Sequence, residues 1–435
     1  MLHRSFCLAT VALLLAPAPL LAQRKPAARP PTQQVIPPKT VYWLSAATTS
    51  GFMMGAKPPS SGDMMRMAMG GGMGGTARTL NLDLGSRLPP TGSPAATHAI
   101  PPSMAMGPSL ALKTPPPARA GTVSREPEDF ERPKGRILLF WGCGETARPG
   151  QPVVIDFANL AAGQIPPGLF AGERIRIARP PSPTTWPTYG GWPNDDRPSR
   201  EAIPAGASLV GAHSVSGNYP PKIDFTLAQD WMAGLALQQA KAPSGALNLS
   251  WNTVPGTTAH FAQMFGASED SRGNDPTIVF WSSSELQTFM SGLSDYIAPA
   301  EAARLVGTRQ LMPAAQASCT IPREAMQAAP SGMITLVAHG PEQNFVHPPR
   351  PADPRTPWVQ EWTVKARFVS RTGGIAGMDM ADMGGDDARR PARRTRNPAN
   401  CVPAASASDA VSGVLGGAIG GLFGSRRKPP VCEEE

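Results

Sequence analysis

The sequence lacks an apolar run long enough to span a membrane as a helix. Residues 6–15 and 411–423 are the two longest candidates, at about 10 and 13 residues, whereas a spanning helix needs about 20. A weakly basic start precedes the first run, prolines follow it, and Ala22 provides a small residue for cleavage. This pattern predicts a signal peptide over 1–22. No cysteine follows the cleavage site directly, so we expect export without a lipid anchor, to the periplasm, the outer envelope or the extracellular space.

Cysteine is scarce, and its spacing argues against several kinds of site. The chain has five cysteines, of which Cys7 lies in the predicted signal peptide. The other four form no Cys-x-x-Cys motif, so zinc binding and thioredoxin-like chemistry lack support. An even number in an exported protein indicates disulfides. We expect the pairs Cys143–Cys319 in the folded part and Cys401–Cys432 in the tail, with free or intermolecularly paired thiols as the alternative.

Catalytic motifs are also missing. The sequence has no Gly-x-Ser-x-Gly elbow, no His-Glu-x-x-His motif and no phosphate-binding glycine loop between a strand and a helix. Four histidines stand singly, without a partner at helical or strand spacing: His213, His260, His339 and His347. The basic residues are not interleaved with aromatics, and export also disfavours nucleic acid as a partner. The sequence therefore favours a non-enzymatic protein, with no resident cofactor.

Proline and glycine are abundant and set the expected organisation. The 51 prolines and 44 glycines make up about 22% of the 435 residues, which is typical of folded segments separated by flexible ones. The composition predicts a Pro-rich spacer at 23–40, a β-rich domain at 41–185 interrupted by Met/Gly-rich and Pro-rich loops, a linker at 186–205, a second β-sandwich-like domain with short helices at 206–372, and a disordered basic tail at 373–435.

Alternating polar and apolar residues predict strands through both of these domains. The clearest runs are 79–84, 222–227, 247–252 and 361–368, while the continuous apolar run 137–141 fits a strand buried on both faces. A further alternation at 174–177 predicts another strand. Helix is limited to short segments that begin near Ser282, Pro299 and Pro322. The predicted fold class is therefore mainly β, with two sandwich-like domains.

One short segment resembles a known module. The residues Leu-Ser-Trp-Asn-Thr-Val-Pro-Gly at 249–256, followed by Phe261, resemble the region between the second and third strands of a fibronectin type III or immunoglobulin-like sandwich. His260 and Phe261 stand where that family usually has a tyrosine. The resemblance implies a β-sandwich over about 206–284 with a binding or spacing role, and it carries over no functional residues.

Methionine clusters form the first candidate functional feature. Of the 19 methionines, many lie in Gly-rich sequence where they cannot form a core. Thioethers are soft ligands that select Cu(I), and residues 377–384 resemble Met-rich motifs of periplasmic copper-resistance proteins. The candidate ligands are Met64, Met65, Met67, Met69, Met378, Met380 and Met383. The alternative is low-complexity sequence without a metal, or an adaptable interaction surface.

A glycine pattern in the tail forms the second candidate feature. Within 411–424, glycines recur every fourth residue in two frames, a spacing that lets helices approach closely. These are Gly413, Gly417 and Gly421, and Gly416, Gly420 and Gly424. The pattern indicates self-association or membrane-surface contact, helped by flanking arginines. A Gly-rich tail without such a role is the alternative.

Trp186, Tyr189 and Trp192 form a third feature, in the predicted linker. They fit either a stacking surface for sugar rings or, as we favour, packing against the adjacent β-structure. Taken together, the patterns favour an exported interaction or structural protein of the envelope, whose partner is an envelope protein, a glycan or a second copy. A periplasmic Cu(I)-binding protein is the alternative. A hydrolase of envelope polymers is a more distant one, because it needs clustered carboxylates or a Ser/His pair.

Overall fold

The computed structural model describes residues 32–51, 76–115, 135–161, 164, 175–193, 202–269, 276–289 and 292–378. Within these ranges the protein is mainly β, as the sequence predicts. The first strands are β1 (Val35–Ile36), β2 (Thr40–Gly51), β3 (Ala77–Ser86), β4 (Ala96–Ala99), β5 (Ser109–Leu112), β6 (Arg136–Trp141), β7 (Val153–Asp156), β8 (Thr188–Trp192) and β9 (Gly211–Gly217). The later strands are β10 (Ile223–Leu227), β11 (Leu237–Lys241), β12 (Leu247–Trp251), β13 (Ala259–Glu269), β14 (Pro276–Ser282), β15 (Met312–Pro313), β16 (Ser318–Ile321), β17 (Met333–His347), β18 (Trp358–Val359) and β19 (Trp362–Ile375).

Within the described residues, helical structure is confined to short segments. These are α1 (Phe157–Ala161), α2 (Pro299–Gly307), α3 (Arg323–Ala328) and a 3-10 helix at Pro102–Met104. Proline opens α2 at its first turn, where no amide donor is needed, and Pro322 precedes α3. Both helices begin where the sequence predicts them.

A ten-stranded central sheet organises the fold. Its order is β7-β6-β14-β13-β17-β19-β2-β3-β8, and β15 pairs with β13. Most neighbours are antiparallel, whereas β6 with β14 and β2 with β19 are parallel. Three smaller sheets accompany it, in the orders β10-β9-β4-β5, β11-β12-β16 and β1-β18.

The main core lies between the central sheet and the smaller sheets. Alternate residues of β2, Tyr42, Leu44 and Ala46, are buried on the inner face. They join apolar residues of β3 and β19 in one cluster, together with inward residues of the four-stranded and three-stranded sheets. On the outer face, Leu305 of α2 packs with Phe261 of β13 in a smaller cluster.

A bulge interrupts the pairing of β17 with β19. The register shifts between His339 and Glu342, which leaves Gly340 and Pro341 outside the ladder. A Cβ atom on Gly340 would lie 2.4 Å from the Met232 sulfur and 2.6 Å from the Phe368 carbonyl oxygen. Glycine and proline are the residues that such an interruption accommodates.

The strands do not follow the predicted division at 186–205. Strands β2 and β3 of the first segment share the central sheet with β13, β14, β17 and β19 of the second. Residues 188–192 of the predicted linker form β8, which pairs with β3. Strand pairing across the chain is not visible in local periodicity, which is why two separate domains were expected.

Two further local predictions are wrong. Residues 175–177 form no strand, and the segment from Ser282 to Phe289 forms no helix. Ser282 is the last residue of β14, and Glu285 forms an ion pair with Arg148. Because Phe289 and Leu293 pack in two different apolar clusters, their spacing does not mark one helical stripe.

A disulfide connects the central sheet with the three-stranded sheet. Cys143, just after β6, is bonded to Cys319 of β16, with Cα atoms 5.2 Å apart. The Gly144 amide donates to the Thr320 carbonyl at 2.9 Å beside it. The predicted pair Cys143–Cys319 is thus confirmed, whereas Cys401 and Cys432 lie outside the described residues.

We expect the double variant Cys143→Ser/Cys319→Ser to be less stable by about 2–4 kcal/mol, because the disulfide restricts the unfolded chain. Urea unfolding followed by tryptophan fluorescence measures the difference. Wild-type protein unfolded in a reductant is the matched control and should coincide with the variant. Equal midpoints for the oxidised wild type and the variant would contradict the expectation.

Candidate functional site

A group of charged side chains surrounds a tryptophan on the outer face of the central sheet. It consists of Trp43, Asp83, Glu342, Lys365 and Arg367, and we call it the charged row. Strands alternate their side chains between the two faces, and the register places Trp43 opposite both Lys365 and Asp83. These residues therefore lie side by side across β17, β19, β2 and β3.

Arg367 lies at the centre of the charged row. Its side chain is sandwiched between two aromatic rings, at 4.8 Å from the Trp43 centroid and 4.2 Å from that of Tyr296. The guanidinium donates to Ser45 Oγ at 2.7 Å and to the Ala178 carbonyl at 3.1 Å. Burial lowers the pKa of Arg367, but a guanidinium retains its charge in a protein. The contacts therefore hold a buried cation against β2.

Two carboxylates flank this cation on different strands. Lys365 Nζ donates to Glu342 Oε2 at 2.6 Å, and Tyr189 donates its hydroxyl hydrogen to Asp83 Oδ1 at 2.7 Å. Burial raises the pKa of Asp83, while the Tyr189 hydrogen bond and the charge of Arg367 oppose that rise. Within the row, Lys365 is thus paired with Glu342, whereas Asp83 is stabilised by Tyr189 and by the charge of Arg367.

The spacing of the carboxylates does not fit glycoside hydrolysis. Strands β3 and β17 are separated by β2 and β19, so the backbones of Asp83 and Glu342 lie about 14 Å apart. Catalytic carboxyl pairs are separated by roughly 5–9.5 Å. Asp83 also points toward Tyr189 on β8, away from Glu342. The charged row supports polar binding instead, because Asp83, Tyr189 and Lys365 are partly exposed.

The aromatic residues of the predicted linker pack against the sheet. Trp192 is buried in β8. A Cβ on Gly85 would lie 2.5 Å from the Trp186 ring, so that ring rests directly on the β3 backbone. Arg87 covers the same ring at 5.2 Å from its centroid. Trp186 and Trp192 thus pack against the adjacent β-structure, as the sequence predicts.

A second polar group lies buried on the inner face. Tyr42 Oη is 2.8 Å from His98 Nδ1, and His98 Nε2 is 2.9 Å from His213 Nδ1. His213 Nε2 is in turn 2.7 Å from the Leu209 carbonyl oxygen. We call these three side chains the Tyr–His–His chain. It joins β2 of the central sheet to β4 and β9 of the four-stranded sheet.

Sequence reasoning missed the charged row and this chain. In the sequence His213 stands singly, and His98, Tyr42 and Asp83 belong to no recognisable motif. A signal was present, because His98 alternates with Ala96 and His213 with Val215, which places both imidazoles at inward positions. Which inward positions meet depends on sheet packing, and periodicity does not contain that information.

Most residues predicted for metal binding or association lie outside the described residues. These are Met64, Met65, Met67, Met69, Met380, Met383, Gly413, Gly416, Gly417, Gly420, Gly421 and Gly424. Met378 is described and is 49% exposed. In the part of the chain that the structure describes, no group of three or more His, Cys, Asp or Glu residues could hold a metal ion, and no helix is long and apolar enough to cross a membrane.

No protein-family model, curated protein or solved structure matches this chain. The resemblance to a fibronectin type III or immunoglobulin-like module stays a prediction. Residues 206–284 contribute β9 and β10 to the four-stranded sheet, β11 and β12 to the three-stranded sheet, and β13 and β14 to the central sheet.

We expect Tyr189→Phe to raise the pKa of Asp83, because the ionised carboxylate loses a hydrogen-bond donor. NMR titration of the Asp83 carboxyl carbon measures the change. Lys365→Gln is the matched control, since Lys365 bonds Glu342, and it should leave the Asp83 titration in place. An unchanged or lowered pKa of Asp83 in Tyr189→Phe would show that this hydrogen bond does not stabilise the anion.

Proposed function

We propose that this chain is an exported, non-enzymatic interaction protein of the cell envelope or the secreted fraction. The observation that carries the proposal is the disulfide between Cys143 and Cys319, which joins positions 176 residues apart. Disulfides persist in oxidising compartments and are rare in the cytosol. The cross-link therefore supports the export that residues 1–22 predict.

The use of the charged groups supports an interaction role over a catalytic one. In the charged row, Lys365 is committed to Glu342 and Arg367 to Ser45 and two aromatic rings. Asp83 and Lys365 are nevertheless partly exposed on the same face of the sheet, so a hydroxylated partner can contact this polar surface. The partner is an envelope protein or a glycan, or a second copy through residues 411–424, with membrane-surface contact through the basic tail.

Export and association are tested on the full chain and on a variant that lacks residues 1–22, both expressed with a C-terminal tag. We expect the full chain outside the cytoplasm with Cys143 and Cys319 protected from thiol alkylation. The shortened variant should stay in the cytoplasm with both thiols labelled. Recovery of the full chain in the cytoplasm with alkylated thiols would contradict export.

The exported protein is then compared with its 411–424 deletion by light scattering. We expect a lower mass for the deletion variant, since the glycine pattern provides the close contact between copies. Equal masses would exclude self-association through this segment and leave an envelope protein or a glycan as the partner. Addition of Cu(I) should change neither mass.

Cu(I) binding is a second candidate function, and the position of Met378 favours it. Met104, Met232, Met264 and Met312 are buried in the core, whereas Met378 lies three residues beyond the end of β19 and is 49% exposed. The Met378 thioether is therefore accessible to a metal ion, at the start of the segment that also contains Met380 and Met383.

In an anaerobic titration against a Cu(I) chelator, we expect a copper-binding protein to lose affinity when Met64, Met65, Met67 and Met69 are replaced by Leu. A second variant replaces Met378, Met380 and Met383. Met264→Leu is the matched control, because that buried methionine is near-isosteric with leucine and lies in the core. No binding above the level of the variants would exclude this function.

A further inference from the structure

The hydrogen-bond partners determine which atom donates and which accepts at each link of the Tyr–His–His chain. The Leu209 carbonyl can only accept, so His213 carries its proton on Nε2 and its Nδ1 accepts. His98 therefore carries its proton on Nε2 and accepts at Nδ1 from the Tyr42 hydroxyl. This single arrangement satisfies all three side chains with both imidazoles neutral.

The surroundings of the two imidazoles are apolar. Phe225 of β10 stacks on His213 with ring centroids 5.1 Å apart, and Phe345 of β17 packs on Phe225 at 5.4 Å. His98 and His213 are 0% and 2% exposed. Neither imidazole hydrogen-bonds a carboxylate.

The charged groups of the packed elements are directed elsewhere. Asp230 accepts from the backbone amides of Leu209 and Trp231, and it is the carbonyl of Leu209 that pairs with His213. On β10, exposed Asp224 pairs with Lys222. On β3, β17 and β19, Asp83, Glu342, Lys365 and Arg367 belong to the charged row on the opposite face. Arg78 of β3 is a cation on the inner side, where it donates to the Ala207 carbonyl and covers the Trp231 ring. No carboxylate in these described elements is placed to neutralise an imidazolium.

We propose that the Tyr–His–His chain is an acid-sensitive latch that holds the four-stranded sheet on the central sheet and releases it when an imidazole takes up a proton. A proton on His213 Nδ1 would face the His98 Nε2 proton, so the central hydrogen bond is lost. A proton on His98 Nδ1 leaves a buried cation without a counterion, which is unfavourable.

The sign of the pH dependence follows from the same environment. Burial lowers the pKa of both His98 and His213, whereas the released imidazoles regain an ordinary pKa of about 6.5. The closed state is therefore fully favoured above about pH 6.5 and weakens as pH falls below it. Each histidine changes the ratio of closed to open molecules by at most about tenfold per pH unit.

Hydrogen exchange of the oxidised full-length protein tests the latch between pH 7.5 and pH 5. Protection factors, which correct for intrinsic exchange rates, are compared between β4 and β9 and the central strands β17 and β19. Below about pH 6.5, we expect the protection of β4 and β9 to fall by up to tenfold per pH unit if one histidine is protonated and by up to 100-fold if both are, with the protection of β17 and β19 retained. Constant protection, or equal loss in all sheets, would overturn the proposal.

The double variant His98→Gln/His213→Gln tests whether the acid response comes from His98 and His213 or from other buried histidines. Glutamine can donate and accept but does not titrate in this range, so β4 and β9 should stay protected at pH 5. A wild-type acid response in this variant would overturn the proposal, since the response would then come from His260 or His339. Burial lowers the pKa of His339 to about 3. His347→Gln, at a half-exposed side chain, is the matched control and should respond as wild type.

Nitrogen NMR of wild-type histidines decides the question if the double variant does not fold. We expect both His98 and His213 as neutral Nε2–H tautomers at pH 7.5, with cations appearing only together with the loss of β4 and β9 protection. An imidazolium at His98 or His213 in the closed state would overturn the proposal.

Discussion

The parallel pairing of β2 with β19 is the constraint on which the rest of the structure depends. It runs without interruption from Thr40 opposite Trp362 to Gly51 opposite Gly373. Because this ladder lies between β17 and β3, it fixes which side chains of four strands share a face. The inner core, the charged row and the Tyr–His–His chain all follow from this one register.

Adjacent residues of β2 show two different ways of burying polar groups. Trp43 faces Arg367, whose guanidinium cannot give up its proton, so aromatic faces, a hydroxyl and nearby carboxylates must accommodate a permanent charge. Tyr42 faces His98, which can be neutral, so a hydrogen-bond chain ending in a carbonyl is sufficient. The outer face consequently needs charge pairing, while the inner face needs only correctly oriented donors and acceptors.

Local patterns predicted several strands and two helices, because these elements depend on neighbouring residues. Alternation identified the strands at 79–84 and 361–368, and Pro299 and Pro322 marked the helix starts. The pairing of β2 with β19 joins residues more than 300 positions apart, and no local pattern contains it. The charged row and the Tyr–His–His chain depend on such pairing. Alternation shows which face of a strand each member occupies, but it does not show which members meet.

The predicted linker shows why composition was misleading at one place. Two of its glycines lie so close to tyrosine hydroxyls that no side chain fits. A Cβ on Gly190 would lie 2.4 Å from the Tyr219 hydroxyl, and one on Gly191 would lie 2.6 Å from the Tyr189 hydroxyl. Glycine within a strand can mark such close approach as well as a flexible loop. Composition alone does not distinguish these two uses.

The outer edge of β8 limits how copies of this protein can associate. An unpaired edge strand is a template for another chain, but here Lys113 and Gly191 exchange backbone hydrogen bonds of 3.0 and 2.9 Å. Thr114 Oγ1 donates to the Tyr189 carbonyl at 2.7 Å. These groups are therefore unavailable for strand addition at this end of the central sheet. The association that we propose through residues 411–424 does not require this occupied edge.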